Sequence, residues 1–304
     1  HDGCLGEYRD KLSSVSESLV WEVNLRHSQG VGKEKMAFTQ GTYSVERDDL
    51  ALGSDSAGLV YGDRLTSGSS MVYVYSTDTG LLVSGAALDW SDAPGQQNFD
   101  PEVHTLNSAA AAFNRTFGGA ITATVVNHEL RLECAEGYQM AFGTDTTGLT
   151  AALGINTFFS GSNAQDVALN EKIGSDLDYI CTGHVNGAGE GNEGDNSTAL
   201  SISELQTDDV TIHTTRDGTS SQALLDFYNG LVGTVGSDTY NAEFNFVYNK
   251  ALADDLDARQ QEVSGVNLDE EMSNLIKYQH SYTAAAKLIS TADQMIQTLL
   301  TLKS

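Results

Sequence analysis

The sequence has little cysteine and little positive charge, and each shortage excludes a class of protein. Its three cysteines (Cys4, Cys134 and Cys181) are widely spaced and form no CxxC pair, so neither a disulfide framework nor a zinc site is indicated. Only 16 basic residues stand against 42 acidic ones. The net charge of −26 argues against nucleic acid and against an anionic membrane surface as partners. No apolar run reaches about 18 residues, so no membrane-spanning helix is expected.

Motifs of the common catalytic sites are also missing. The sequence has no HExxH, no GxSxG, no GxxxxGK[ST] loop and no GxGxxG after a strand, and its seven histidines are scattered. The acidic segment with Glu190, Asn192, Glu193 and Asp195 lacks the order of oxygen ligands that an EF-hand requires, so a solvated loop is favoured over a calcium site. We therefore predict no enzymatic activity, no cofactor and no metal.

The most informative segment that is present is a long helix over the last forty residues. Asn267 is a suitable N-cap, and Glu270 follows at the spacing of a capping box. Three acidic residues, 269–271, lie in the first turn, where the helix dipole favours negative charge. No glycine or proline follows Gly265. The pattern predicts one uninterrupted helix from about residue 267.

Apolar residues repeat every seven positions along this helix, at 268, 275, 282, 289 and 296. A second row, at 278, 285, 292 and 299, lies three residues after the later members of the first. This a/d pattern over about four to five heptads is typical of a helix that packs on a partner helix. Burying five positions of the first row would contribute on the order of 10 kcal/mol. From the pattern alone, docking onto the chain's own domain is as good an interpretation; the partner could be residues 5–29, residues 239–263 or a neighbouring chain. The predicted interface residues are Leu268, Leu275, Tyr278, Tyr282, Ala285, Ile289, Ala292, Ile296 and Leu299.

The remaining sequence predicts a multidomain α+β fold, with long coiled-coil-type terminal helices flanking a mixed middle. Apolar spacing of three and four residues predicts a helix from Leu5 to about Gly30. Residues 68–145 show strand, strand, helix and three strands, which we expect to form a small antiparallel β-rich module. Later helices are expected at 147–153, 198–206, 224–235 and about 239–263. The predicted domains are 1–67 (helix and loops), 68–145 (outward insertion module), 146–265 (helix-rich return segment) and 266–304 (coiled-coil helix).

Two segments resemble a known family. The C-terminal run with its VNLDEE motif (residues 266–271) is similar to the C-terminal signature of the flagellar axial proteins, which include rod, hook and hook-associated proteins. The segment LGINTFFSGSNAQDVALN (residues 153–170), followed by GDN at 194–196 and AL at 199–200, resembles the FlgK-type hook-associated proteins. Residues 8–30 are similar to the last long helix before that family's β insertion. By this resemblance the chain looks like the C-terminal part of such a protein.

The resemblance implies a structural adaptor between the flagellar hook and filament. It implies partners of three kinds: neighbouring copies, the hook protein with the adjacent hook-associated protein, and an export chaperone on the C-terminal helix. It also implies an extracellular location after export through the flagellar secretion channel, without a cleavable signal peptide. Two alternatives remain open. The chain could be another axial protein of hook or rod, or a surface module that binds a ligand on residues 68–145.

Overall fold

The computed structural model describes residues 2–91, 98–191, 194–265 and 267–302. Seven α-helices are described: Asp2–His27 (α1), Leu106–Phe117 (α2), Leu149–Ala152 (α3), Glu171–Ser175 (α4), Ser197–Glu204 (α5), Leu224–Ser264 (α6) and Leu268–Thr301 (α7). The strands are Gly30–Val31 (β1), Phe38–Gln40 (β2), Ser70–Ser76 (β3), Leu82–Ala87 (β4), Ile121–Val126 (β5), Glu129–Cys134 (β6), Tyr138–Asp145 (β7), Phe159–Ser160 (β8), Ala168–Leu169 (β9), Gly183–His184 (β10), Asp209–Thr214 (β11) and Gly218–Ala223 (β12). The predicted fold class is confirmed: long helices at both ends flank small antiparallel sheets.

The chain divides into two compact units, His1–Val235 and Gly236–Ser304. In the first unit, the strands form two three-stranded antiparallel sheets, ordered β4-β3-β7 and β2-β6-β5, and three two-stranded ones. The predicted order of two strands, a helix and three strands over residues 68–145 is observed. However, β5 and β6 pair with β2 instead of joining the sheet of β3 and β4. The β-rich elements are therefore linked through β2 to a segment that precedes them.

Among the described residues, the main hydrophobic core of the first unit is accompanied by two smaller clusters, around Ile212 and around Tyr75. It extends from Val20 and Trp21 on α1, through Trp90 and the buried face of α2, to Ile155. On α2, the side chains at 106, 109, 110, 113 and 117 are buried, as their spacing of three and four residues predicts. Because α1 and the elements of residues 68–145 share this core, removing either would expose apolar surface of the other. The predicted domain boundaries at 67 and 145 stay predictions.

The face that α1 buries differs from the one its apolar residues suggest. Leu5, Leu12 and Leu19 are 40–66% exposed, whereas Ser18 and Asn24 are buried. The helix itself is present as predicted. Beside the buried Val20, Trp21 and Val23, its packed side carries polar groups because Ser18 and Asn24 hydrogen-bond to backbone groups of β11 and of residues 158–159, which apolar side chains cannot do.

The segment predicted as two helices, residues 224–235 and about 239–263, is a single helix, α6. The prediction of a break near Gly236 is wrong. A glycine in a helix interior costs about 1 kcal/mol relative to alanine, but unlike proline it keeps its backbone N–H for the hydrogen-bond ladder. Glycine there weakens the helix without ending it. The break falls instead at Gly265, between α6 and α7.

No helix among the described residues is both long and apolar enough to cross a bilayer.

Candidate assembly interface

The predicted interface residues all lie on α7 and all point into solvent. The seven large side chains of the set range from 56% exposed at Ile296 to 79% at Tyr282, and Ala285 and Ala292 are also exposed. No residue described on α7 is buried. An apolar row of this length on a solvent-exposed helix is typical of a surface that packs on another element. That it does so here, and on which element, stays a prediction.

The start of α7 has the local geometry of a capped helix. The Asn267 side-chain oxygen accepts a hydrogen bond from the Asp269 backbone N–H at 3.1 Å. The backbone carbonyl of Asn267 accepts the first helical bond from the Glu271 N–H at 3.0 Å. The reciprocal bond of a capping box, from the Glu270 side chain to the Asn267 N–H, stays a prediction. These contacts fix the residue at which the helix begins and hence the register of its apolar rows.

The row of α7 that lies farthest from the apolar rows is polar. Relative to a first row at position a, the positions f on the far side are Ser273, His280, Lys287, Gln294 and Thr301. A straight α-helix drifts by about 20° per heptad relative to a strict seven-residue repeat, so keeping the row against a partner favours a left-handed supercoil. Burying the seven large side chains of the interface set would contribute on the order of 10 kcal/mol. That is enough to make this face the main source of stability of an assembled helix.

Residues 236–264 of α6, in the same unit, also expose apolar side chains. Tyr240, Phe244 and Val247 follow spacing of four and three residues, and each is at least 59% exposed. The spacing of apolar residues in the sequence had already indicated an apolar face on this helix. It did not show that this face lies open.

Within the first unit, the NTFFSG segment (residues 156–161) is held against α1 by two side chains that the sequence did not single out. The Asn24 side-chain oxygen accepts the N–H groups of Phe158 and Phe159, at 3.0 and 2.8 Å, and its amide donates to the Phe159 carbonyl at 3.0 Å. Asn24 thereby makes hydrogen bonds to the backbone of Phe158 and Phe159 that the backbone of a paired strand would otherwise make. His27 follows Asn24 by three residues (N-x-x-H), and this spacing could have indicated that the two side chains bind the same segment.

His27 forms the second anchor. Its Nδ1 donates to the Asn156 carbonyl at 2.8 Å, and its Nε2 accepts the Cys181 backbone N–H at 3.0 Å. One nitrogen must donate and the other must accept, so this geometry requires the neutral imidazole. Burial lowers the pKa of His27 to about 4. Burial likewise raises the pKa of the neighbouring Cys181 thiol to about 12, which makes it an inert structural group.

Asn156 itself has a left-handed backbone, with φ of +55°. Its amide donates to the carbonyls of Ser28 and Gly30, at 3.1 and 3.2 Å, directly after α1 ends. Asparagine tolerates this conformation better than most residues. The NTFFSG segment therefore joins the end of α1 to the residues around Cys181 through buried polar contacts.

A concave site with converging polar groups on residues 68–145 would favour the alternative of a surface module that binds a ligand there. A groove of about 810 Å³ in the first unit lies instead between β2 and residues 156–179, and residues 68–145 contribute only Glu129 to its lining. In that groove the Lys172 ammonium bonds the Phe38 carbonyl and lies 4.5 Å from the centre of the Tyr179 ring. Across the described residues, no group of three or more His, Cys, Asp or Glu side chains is placed to hold a metal.

In the acidic segment, the Asp195 carboxylate is hydrogen-bonded to backbone groups of the chain itself. Asp195 accepts the backbone N–H groups of His184 and Ser197 at 2.8 and 3.0 Å, and these bonds lower its pKa. Glu190 accepts the Asn186 amide at 3.1 Å. Asn192 and Glu193 lie outside the described residues.

Comparisons with known proteins agree with the resemblance seen in the sequence. Residues 259–302 match the family model of the C-terminal region of the flagellar basal body rod proteins. Flagellar hook-associated protein 1 of Bacillus subtilis is 24% identical over an alignment of 318 positions, which covers 97% of this chain. The chain is a relative of flagellar hook-associated protein 1.

Two further relatives carry the same name. The protein of Escherichia coli is 26% identical over 52% of this chain, and that of Salmonella typhimurium is 32% identical over 36%. The chain spans 58% of the length of the Bacillus protein, 29% of the Escherichia protein and 19% of the Salmonella protein. The segment matched by the family model contains the whole predicted interface.

Proposed function

We propose that this chain is part of a structural protein of the bacterial flagellum, an adaptor at the junction of hook and filament that assembles through α7. The relatives are named hook-associated protein 1, and one of them aligns with nearly all of this chain. The observation that carries the assembly step is the exposed seven-residue repeat on α7. A surface of this kind associates by packing side chains and needs no catalytic group.

The proposed partners follow from the same resemblance. Neighbouring copies, the hook protein and the adjacent hook-associated protein would cover the apolar face of α7 in the assembled organelle. An export chaperone would cover it before assembly. The protein acts outside the cell after passage through the flagellar export channel. The net charge of −26 keeps the unassembled chain soluble, and it disfavours association that buried apolar contacts do not drive.

The test is the double variant Leu275→Asp with Ile289→Asp, introduced into the full-length protein in its own cells. Both positions belong to the first apolar row, so two charges would have to be desolvated in any packed interface. We expect loss of incorporation into purified filaments and loss of motility. The melting of the first unit, followed by the fluorescence of Trp21 and Trp90, should not change because both tryptophans lie in its core.

A matched control places the same charges on the polar side of α7, as Ser273→Asp with Gln294→Asp. It changes helix propensity and net charge similarly and leaves the apolar rows intact. We expect normal incorporation. If the row variant incorporates as well as the control, α7 is not the assembly surface.

The family model named for the basal body rod proteins favours a second candidate, an axial protein of rod or hook. Immunogold labelling of detached flagella separates the two. Label confined to a narrow band where hook meets filament supports the junction adaptor, whereas label along the hook or rod supports the alternative.

A further inference from the structure

Three glycines follow one another at intervals of three residues inside α6. Gly230, Gly233 and Gly236 occupy two successive turns of a helix that runs without interruption from residue 224 to residue 264. Glycine is the least favourable helix-interior residue after proline, because it loses the most backbone freedom on ordering. The turns containing these glycines are therefore the weakest part of the helix.

Packing within the described chain does not explain these glycines. Apart from its chain neighbours and the adjacent backbone of α6, a Cβ atom added to any of the three would find no atom within 4 Å. By contrast, a Cβ at Gly41 would lie 2.3 Å from the Leu153 carbonyl oxygen, so that glycine is required by close contact. At 230, 233 and 236 an alanine would fit, and it would strengthen the helix.

A side-chain contact in the same turns also favours bending. The Thr234 hydroxyl donates to the Gly230 carbonyl at 3.0 Å, one turn earlier. A threonine that bonds the carbonyl four residues back competes with the ladder hydrogen bond and often bends the helix. Val232 and Val235 add β-branched side chains, which lower helix propensity further.

The turns that contain the three glycines also lie where α6 stops burying side chains. Leu231 is the last buried side chain on α6, and the chain divides into its two compact units between Val235 and Gly236. Tertiary packing, which supplies most helix stability in proteins, therefore ends where intrinsic propensity is lowest. We propose that residues 230–237 are a hinge within α6, at which the helix opens and bends while the stretches on either side stay helical.

This inference does not depend on the proposed flagellar function, because it concerns one helix of the free chain. The test is the triple variant Gly230→Ala, Gly233→Ala and Gly236→Ala. Hydrogen exchange of the amides from 230 to 240 should slow on the order of 100-fold, from about 1 kcal/mol per substitution. The control, Asn245→Ala with Asn249→Ala, raises helix propensity elsewhere on α6 and should leave those amides unchanged.

A distance measurement gives a second readout. Spin labels on cysteines replacing Asp226 and Ala242, with Cys4→Ser, lie sixteen residues apart, which is about 24 Å along a straight helix. We expect a broad distribution of distances in the natural sequence and a narrow one in the triple variant.

Two results would overturn the hinge. One is a single narrow distance in the natural sequence together with unchanged exchange in the triple variant. The other is a triple variant that fails to enter filaments while exchange and distances stay as in the natural sequence. In that case the glycines admit a neighbouring helix and do not serve bending.

Discussion

Lowering the pH should destabilise the first unit through one residue, His27. Its neutral ring donates to the Asn156 carbonyl and accepts from the Cys181 N–H, and protonation would place two N–H groups against each other at Nε2. The pKa of about 4 lies below the ordinary value of 6.5 for an unfolded chain. A depressed pKa means that the stabilisation is fully present above pH 6.5 and is lost as the pH falls towards 4.

The magnitude follows from the two pKa values. A difference of about 2.5 pH units corresponds at most to roughly 3.4 kcal/mol, and about 2 kcal/mol of it is lost between pH 7.5 and pH 5. The assay is urea unfolding followed by the fluorescence of the two core tryptophans, Trp21 and Trp90, at both pH values. Other ionisable groups also contribute to the pH dependence of stability, so the useful quantity is a difference from a variant that lacks the imidazole.

His27→Gln provides that reference. It removes the titrating ring and keeps a polar side chain, so the contribution of the other ionisable groups cancels between the two proteins. The stability advantage of the natural sequence over this variant should shrink by about 2 kcal/mol from pH 7.5 to pH 5. An advantage that is the same at both pH values would refute the structural role assigned to the neutral ring.

Three further substitutions, at two residues, test buried and terminal hydrogen bonds. Asp145 is 5% exposed and accepts both the backbone N–H and the hydroxyl of Thr147 and of Thr150. Asp145→Ala should cost about 3–5 kcal/mol in the free energy of unfolding because it leaves buried donors without acceptors, and Asp145→Asn should cost less; equal, small losses would contradict this. Asn267→Ala should remove the cap on the Asp269 N–H and reduce the stability of α7 by about 1 kcal/mol, seen as loss of helical circular dichroism in a peptide of residues 262–304.

Sequence patterns predicted the elements whose local signals agree with one another. The α7 helix has a cap, a charged first turn and an uninterrupted repeat, and the strands of residues 68–145 alternate between turn residues. The pairing of β5 and β6 with β2 could not be predicted in the same way. It is a contact across some ninety residues, and the three-residue strand has no pattern long enough to recognise.

Elsewhere, pattern and tertiary context disagreed. On α1 the leucine row indicated the buried face, yet the structure also buries Ser18, which bonds the Thr211 carbonyl of β11, and Asn24, which bonds the backbone of the NTFFSG segment. The hairpin of β11 and β12 was missed, although Val210 and Ile212 alternate with polar residues and Asp217-Gly218 is a typical turn pair. On α6, glycines suggested a break where the helix is only weakened.

The two units differ in where their stability can come from. In the first, buried apolar side chains and the polar anchors at Asn24, His27 and Asp145 are satisfied within the chain. In α7 every described side chain is exposed, so the helix relies on local contributions such as its cap, its first-turn charges, its propensity and the hydrogen bond from the Gln297 amide to Asp293. Helices held by local contributions alone are marginal in water. If the apolar rows of α7 are the assembly surface, covering them would stabilise the helix and join subunits in the same step. A helix that becomes stable only when it is covered would also be easy to keep unfolded until then, which is consistent with the proposal that the subunit is exported before it assembles.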